Sequence, residues 1–228
     1  MEEIKGYLNK NDDIHRRLLK NIALNTELLY NDRDYDISEY DIQAFIALFL
    51  RKNLTHTAFR VDREMFGKFD CVIREREKKE NPSRILFELK TYVKIKPLGK
   101  DPKKWIKESM DKDAIQDIKS DFFKLKKALA KSSKSKNPTR GFFILVCRRA
   151  DLLNLSGINF LDLFFNKKEV KSVRKDGKEI IRKILTQKCD HLTVQGKIDS
   201  ETVDLKISVW ANTLIETENI SVLSWEIK

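Results

Sequence analysis

The most constraining stretch of this chain is "FFILVC", residues 142–147, which is apolar at every position. A strand with one wet face alternates apolar and polar residues, so an unbroken run of this length reads as a strand covered on both faces. It follows "DAIQDIKSDFFKLKKALAK", where Ile115, Ile118, Phe122, Leu125 and Leu129 recur at helical spacing and form one apolar stripe. Covering both faces needs further helices, and the first fifty residues supply them. Over residues 2–30, Ile14, Leu18, Leu19, Ile22, Leu28 and Leu29 keep helical spacing, with Asn11 or Asp12 available as a cap. Ser38 opens a second helix through "SEYD", a capping signal ahead of Ile42, Phe45, Ile46 and Phe49.

Three strand-like segments lie between these helices. "TAFRVDREMF" alternates Phe59, Val61 and Met65 against Arg60, Asp62 and Glu64. "KFDCVIRE" places Phe69, Cys71 and Ile73 on one face and Asp70 and Val72 on the other; "RILFELKTYV" is the third strand. The order helix, three strands, helix, strand predicts an α/β (α+β) fold: a central mixed sheet flanked by helices, with N-terminal helices and a C-terminal elaboration. One domain over 1–228 is expected, with a core at 38–149 and the elaboration at 150–228. In the latter, "LLNLSGINFLDLFF" reads as partly helical, a hairpin is expected around Asp176-Gly177, and "TVDLKISVW" and "ISVLSWEIK" read as strands.

Charge narrows the partners. The net charge is +11, which favours a polyanion, nucleic acid before membrane. No run approaches the roughly 18 apolar residues of a membrane span, and the N-terminus lacks a signal peptide's apolar segment, so a cytoplasmic protein is expected. Cys71, Cys147 and Cys189 are far apart, as are the three histidines. Neither set has zinc-ligand spacing, and the cysteines read as reduced, buried thiols.

Against that background, Asp70, Glu88 and Lys90 lie inside apolar strands, where unpaired charge is costly. Glu88 and Lys90 are two apart and so share a strand face. If the strands pair, Asp70 comes beside Glu88. Two carboxylates on adjacent strands suit a hard cation such as Mg²⁺, which takes one or two carboxylates plus water and phosphate oxygens. A neighbouring lysine can orient or deprotonate the attacking water, or neutralise charge on the phosphate. Glu-x-Lys alone says little: it also occurs at Glu3-Lys5, Glu77-Lys79, Glu169-Lys171 and Glu226-Lys228. The copy at 88–90 is distinguished by its apolar strand, the aspartate one strand earlier, and the helix and buried strand that follow. Asp204 with Glu226 and Lys228 is the best rival, but it ends the chain. The plain alternative is a hairpin-edge charge for Asp70 and a solvated strand face for Glu88 and Lys90.

The succession helix, strand, "FD", strand "FELK", helix, strand resembles the PD-(D/E)xK nuclease superfamily, with its restriction-endonuclease-like fold, over 38–149. The resemblance implies Asp70 and Glu88 as metal ligands and Lys90 as the catalytic lysine. It also implies a glutamate on the first core helix, matched by Glu39. Gln43 lies on that helix's same face and Glu64 on the preceding strand, both as accessory residues. Phe69 stands where the family's name has proline. The implied activity is Mg²⁺-dependent hydrolysis of DNA phosphodiesters, with Mn²⁺ able to substitute, leaving a 5′-phosphate. The implied protein is a restriction or related defence endonuclease acting on double-stranded DNA as a homodimer. A non-catalytic nucleic-acid-binding protein on the same fold, an interaction protein, and RNA as substrate remain open. For nucleic-acid contact the candidates are Lys103, Lys104 and Trp105 in a basic loop, and Lys119 on the amphipathic helix. That helix's Lys124, Lys126 and Lys127 read first as a solvated face. Lys171, Arg174, Lys175 and Lys178 would surround the expected hairpin.

Overall fold

The uninterrupted apolar run becomes the middle of a sheet. In this computed structural model, which describes residues 13–32, 36–54, 59–65, 69–75, 84–93, 112–132, 139–149, 189–198 and 200–227, the run lies in strand β4 (Thr139–Arg148). Before it come helices α1 (Asp13–Asp32) and α2 (Glu39–Leu54), strands β1 (Phe59–Met65), β2 (Phe69–Glu75) and β3 (Arg84–Tyr92), and helix α3 (Lys112–Ser132). After it come β5 (Cys189–Ile198), β6 (Glu201–Glu216) and β7 (Ile220–Ile227). The seven strands form one mixed sheet in the order β1-β2-β3-β4-β7-β6-β5. β3 and β4 are parallel, joined through α3, and every other neighbouring pair is antiparallel. The expected α+β architecture, a mixed sheet flanked by helices, is therefore what the chain adopts.

β4 has a covered residue on each side because its two faces serve two cores. Phe142, Ile144 and Val146 pack with Leu18, Ile22, Ile42 and Ile46 of α1 and α2. Phe143, Leu145 and Cys147 pack with Ile118, Phe122 and Leu125 of α3. The stripe expected on the amphipathic helix is the face that buries. Ser38 caps α2 as its sequence signal implies: Asp41 N–H donates to Ser38 Oγ at 3.3 Å, and Ser38 N–H donates to Asp41 Oδ2 at 3.0 Å. Cys71 and Cys147 are buried, and burial pushes the Cys71 thiol up to about 12. His15 lies inside the α1 core, stacked on Phe142 with Nε2 2.9 Å from Ser224 Oγ. Burial, then Arg140, pushes its pKa down to about 3, so it is a neutral core histidine.

The sequence reading differs from the structure in three places. Phe69 does not join Cys71 and Ile73; it packs with Val72 in the α3 core, so strict alternation breaks between Phe69 and Cys71. Asp62, expected on the polar side of the β1 alternation, is buried against Arg60 and Arg74. The strand β5 was not anticipated. It pairs with β6 up to Ile198↔Glu201, and Ser200 just before β6 stands at φ 73°, a left-handed conformation. Gly196 of β5 lies so close to α3 that a Cβ there would overlap the Phe123 ring, so this hairpin is packed on the helix.

Several expectations lie outside the described residues: the cap at Asn11 or Asp12, the loop with Lys103, Lys104 and Trp105, the apolar segment after residue 150, the Asp176-Gly177 hairpin with its basic residues, and Lys228. Among the described residues, no helix is long and apolar enough to cross a membrane.

Candidate functional site

The registered β2–β3 ladder runs from Arg74↔Arg84 to Cys71↔Phe87. One residue further, a side chain takes the ladder's place: Asp70 Oδ2 accepts the Leu89 N–H at 2.7 Å. Asp70 Oδ1 accepts from Gln43 Nε2 of α2 at 3.1 Å. The carboxylate is thus held from two directions, by the strand next door and by a buried glutamine.

Glu88 and Lys90 face α3. In the parallel β3–β4 register they stand beside Phe143 and Leu145, which belong to the core under that helix. Glu88 is only 2% exposed, and its carboxylate meets the Lys124 ammonium of α3. Lys90 Nζ lies 3.4 Å from Glu39 Oε1 of α2 and 3.5 Å from Asp121 Oδ2 of α3. Lys90 therefore joins the two helices across the end of β3. An isolated bridge, Ile37↔Val93, ties the start of α2 to the same strand end.

The resulting group has four carboxylates (Glu39, Asp70, Glu88, Asp121) and two ammonium groups (Lys90, Lys124), mostly shielded from water. Its protonation follows from that imbalance. Burial, then Asp121 and Asp70, pushes Glu88 up to about 9. Burial pushes Asp121 up to about 6 against the pull of Lys90 and Lys124. Burial likewise raises Glu39, with Lys90 opposing. For Lys90, burial works against the charge, but Asp121 and Glu39 outweigh it and its pKa is raised. Neither Glu88 Oε1 nor Asp121 Oδ2 receives a hydrogen bond of good geometry, although an ammonium lies near each.

Five of the residues singled out in the sequence thus converge: Asp70, Glu88, Lys90, Glu39 and Gln43. Lys119 is half-buried on α3 and makes no ion pair with them. The side chain of Glu64 lies outside the described residues. The rival grouping does not assemble. Glu226 pairs with Arg140 at 2.7 Å, while Asp204 accepts from Gln195 at 3.1 Å on the exposed β5–β6 hairpin. Two participants were missed: Asp121 altogether, and Lys124, which is not a solvated lysine but the partner of Glu88. The signal was present, since Asp117, Asp121 and Lys124 keep i, i+4, i+7 spacing directly beside the apolar stripe.

Two carboxylates such as Asp70 and Glu88 are the kind of oxygen donors a hard divalent cation takes. Excess carboxylate, a glutamate held protonated near neutrality and poorly satisfied buried oxygens all mark a place where added positive charge would be favourable. Among the described residues, no three His, Cys, Asp or Glu side chains stand ready-grouped around an ion. A cation held by Asp70 and Glu88 alone would have to keep several waters, as Mg²⁺ commonly does. Comparison with protein-family models, curated proteins and solved structures finds nothing that matches this chain.

Proposed function

We propose that this protein is a Mg²⁺-dependent endodeoxyribonuclease, a phosphodiester hydrolase of the restriction or related defence type, acting in the cytoplasm. The observation that carries the reading is a linked charged group at one end of the β2–β3 pair: Gln43 and the Leu89 N–H hold Asp70, Asp70 acts on the charge of Glu88, and Lys90 pairs with Glu39. In this reading Asp70 and Glu88 hold the cation. When bound, it supplies Lewis-acid chemistry, making water acidic and offsetting charge on the phosphate.

The chain's own groups do the rest. The raised pKa of Lys90 keeps it an ammonium at neutral pH, so it acts as a donor that orients the attacking water and offsets phosphate charge, not as a base. Glu39 and Asp121 fix its position from two helices. Lys124 pairs with Glu88 and also lines the neighbouring groove, where its ammonium would offset phosphate charge. The basic surface holds the DNA backbone and makes binding salt-dependent. Cutting both strands of a duplex calls for two such sites, hence a homodimer.

A second reading, a non-catalytic nucleic-acid-binding protein, is favoured by one observation: the Lys124 ammonium already neutralises Glu88. Incubation of supercoiled plasmid with the full chain separates the two. Nicked and linear products with Mg²⁺ or Mn²⁺, lost on chelation and in Asp70→Ala and Lys90→Ala, are expected. Intact plasmid with either metal, while DNA binding persists, overturns the nuclease reading.

A further inference from the structure

Beside the carboxylate group, a groove of about 740 Å³ runs between α3, the starts of β3 and β4, and the β5–β6 hairpin. Its cations are Arg84, Lys124, Lys127, Lys131 and Lys197, and no carboxylate lines it among the described residues. Its apolar part comes from Phe69, Leu86, Phe123 and Ala128. Lys124 belongs to both places: its ammonium meets Glu88 and also lies 4.8 Å from the centre of the Phe69 ring. The hairpin is anchored across the groove by the Lys127 ammonium, which donates to the Lys197 carbonyl at 3.4 Å, and by the close approach of Gly196 to Phe123.

This combination selects among polyanions. A duplex turns its phosphates outward and hides the faces of its bases, so it would meet the cations and leave the apolar part unused. A single strand offers both a charged backbone and apolar base faces, which is what basic grooves with an apolar component take up.

We infer that the groove between α3 and the β5–β6 hairpin binds an unpaired DNA strand and leads it to the carboxylate group at Asp70 and Glu88. The inference rests on the nuclease reading for where the strand leads, but not for the binding itself. It narrows the substrate from duplex DNA to DNA with a single-stranded segment at the site of reaction. The contribution of the C-terminal third is then the far wall of the groove.

The test is a fluorescence-anisotropy titration of the full chain in EDTA, with a labelled 12-nucleotide strand and the blunt duplex of the same sequence. The single strand is expected to bind at least tenfold more tightly. Each cation that contacts a phosphate contributes about 0.7 to the salt slope on single strands. Lys127→Ala/Lys131→Ala should therefore lower the slope by about 1.4, and Lys131→Ala alone, on an exposed side chain, by about 0.7. Lys20→Ala, on α1 and the opposite face of the sheet, serves as the charge control and should leave the slope unchanged. Equal or tighter binding of the duplex, or an unchanged slope in the groove variants, overturns the inference. Because no divalent cation is present, failure to cut plasmid does not bear on this result. Plasmid cutting with groove variants that bind normally sinks the groove and leaves the nuclease reading standing.

Discussion

Two strands of the same sheet bury a carboxylate, and they do it differently. On β1, Asp62 is 5% exposed and sits between the Arg60 and Arg74 guanidinium groups, with Arg74 Nε at 2.8 Å. On β3, Glu88 is 2% exposed and meets one lysine, while Asp121 and Asp70 stand near enough to oppose its charge. An arginine fork satisfies a carboxylate with directed hydrogen bonds, whereas an ammonium is a point charge with no fixed match. Asp62 is a compensated charge at the sheet's edge and asks for nothing more. Glu88 keeps a raised pKa of about 9 even beside Lys124, and Lys124 also lines the groove. Burial of an acid is thus not in itself a sign of function; what separates the two is whether neighbouring residues complete it.

The largest effect that sharpens this contrast is on activity. Asp70→Asn and Lys90→Ala should each lower the plasmid-cleavage rate by roughly a thousandfold, as loss of a preorganised electrostatic group does, while Asp62→Asn should keep a measurable rate in any preparation that folds. Comparable losses in all three would erase the distinction between the two acids.

The next effect is on stability against pH. Glu88 takes up its proton at about 9 when folded and at 4.5 in the reference state, so the folded chain binds that proton more tightly. Stability from this group is fully present below about 4.5 and declines as pH rises towards about 9, with a slope of up to about 1.4 kcal/mol per pH unit. Glu88→Gln should remove that decline, so the variant gains melting temperature over the wild type at pH 8 and not at pH 4. Parallel melting curves across the range would show that Glu88 is compensated after all.

Removing the other acid should do the opposite. Asp62→Ala strands two guanidinium groups and should cost about 2 kcal/mol by urea denaturation, below the about 3–5 typical of a fully buried pair because Arg60 is 57% exposed. A Glu88→Gln chain less stable than Asp62→Ala at pH 8 would reverse the comparison. Addition of Mg²⁺ should raise the melting temperature at pH 8, by up to about 2.7 kcal/mol of stabilisation at a hundredfold excess over its dissociation constant, and Asp70→Asn should not show the shift. Smallest is Gln43→Ala, which removes one neutral donor to Asp70 and should cost about 1 kcal/mol. It should lower activity less than Asp70→Asn; an equal loss would make Gln43 more than an orienting residue.

Much of this was legible because it is local. Ser38, Asp41 and the apolar spacing after them specify a capped helix from within a few residues. The unbroken run at 142–147 required cover on both faces, and α1, α2 and α3 provide it. Period-two geometry put Glu88 and Lys90 on one face, and antiparallel pairing of consecutive strands was enough to bring Asp70 to Leu89. Asp121 and Lys124 were harder to see because their meaning depends on how α3 turns over β3, a choice made by packing among residues distant in the chain. Asp62 and Glu226 illustrate the same limit from the other side. Both are buried in strands, and the partners that make burial tolerable, Arg74 and Arg140, come from neighbouring strands.

By itself, then, the sequence determined the helices, most of the strands and the acid–acid–lysine grouping on two adjacent strands, since backbone periodicity and capping act over a few residues. The tertiary structure alone decided that β7 enters beside β4, that β5 and β6 fold back to α3, and that a basic groove opens next to Glu88. Those outcomes rest on contacts between residues far apart in the chain, where burial of apolar surface and pairing of charge are settled jointly and no short pattern records the result.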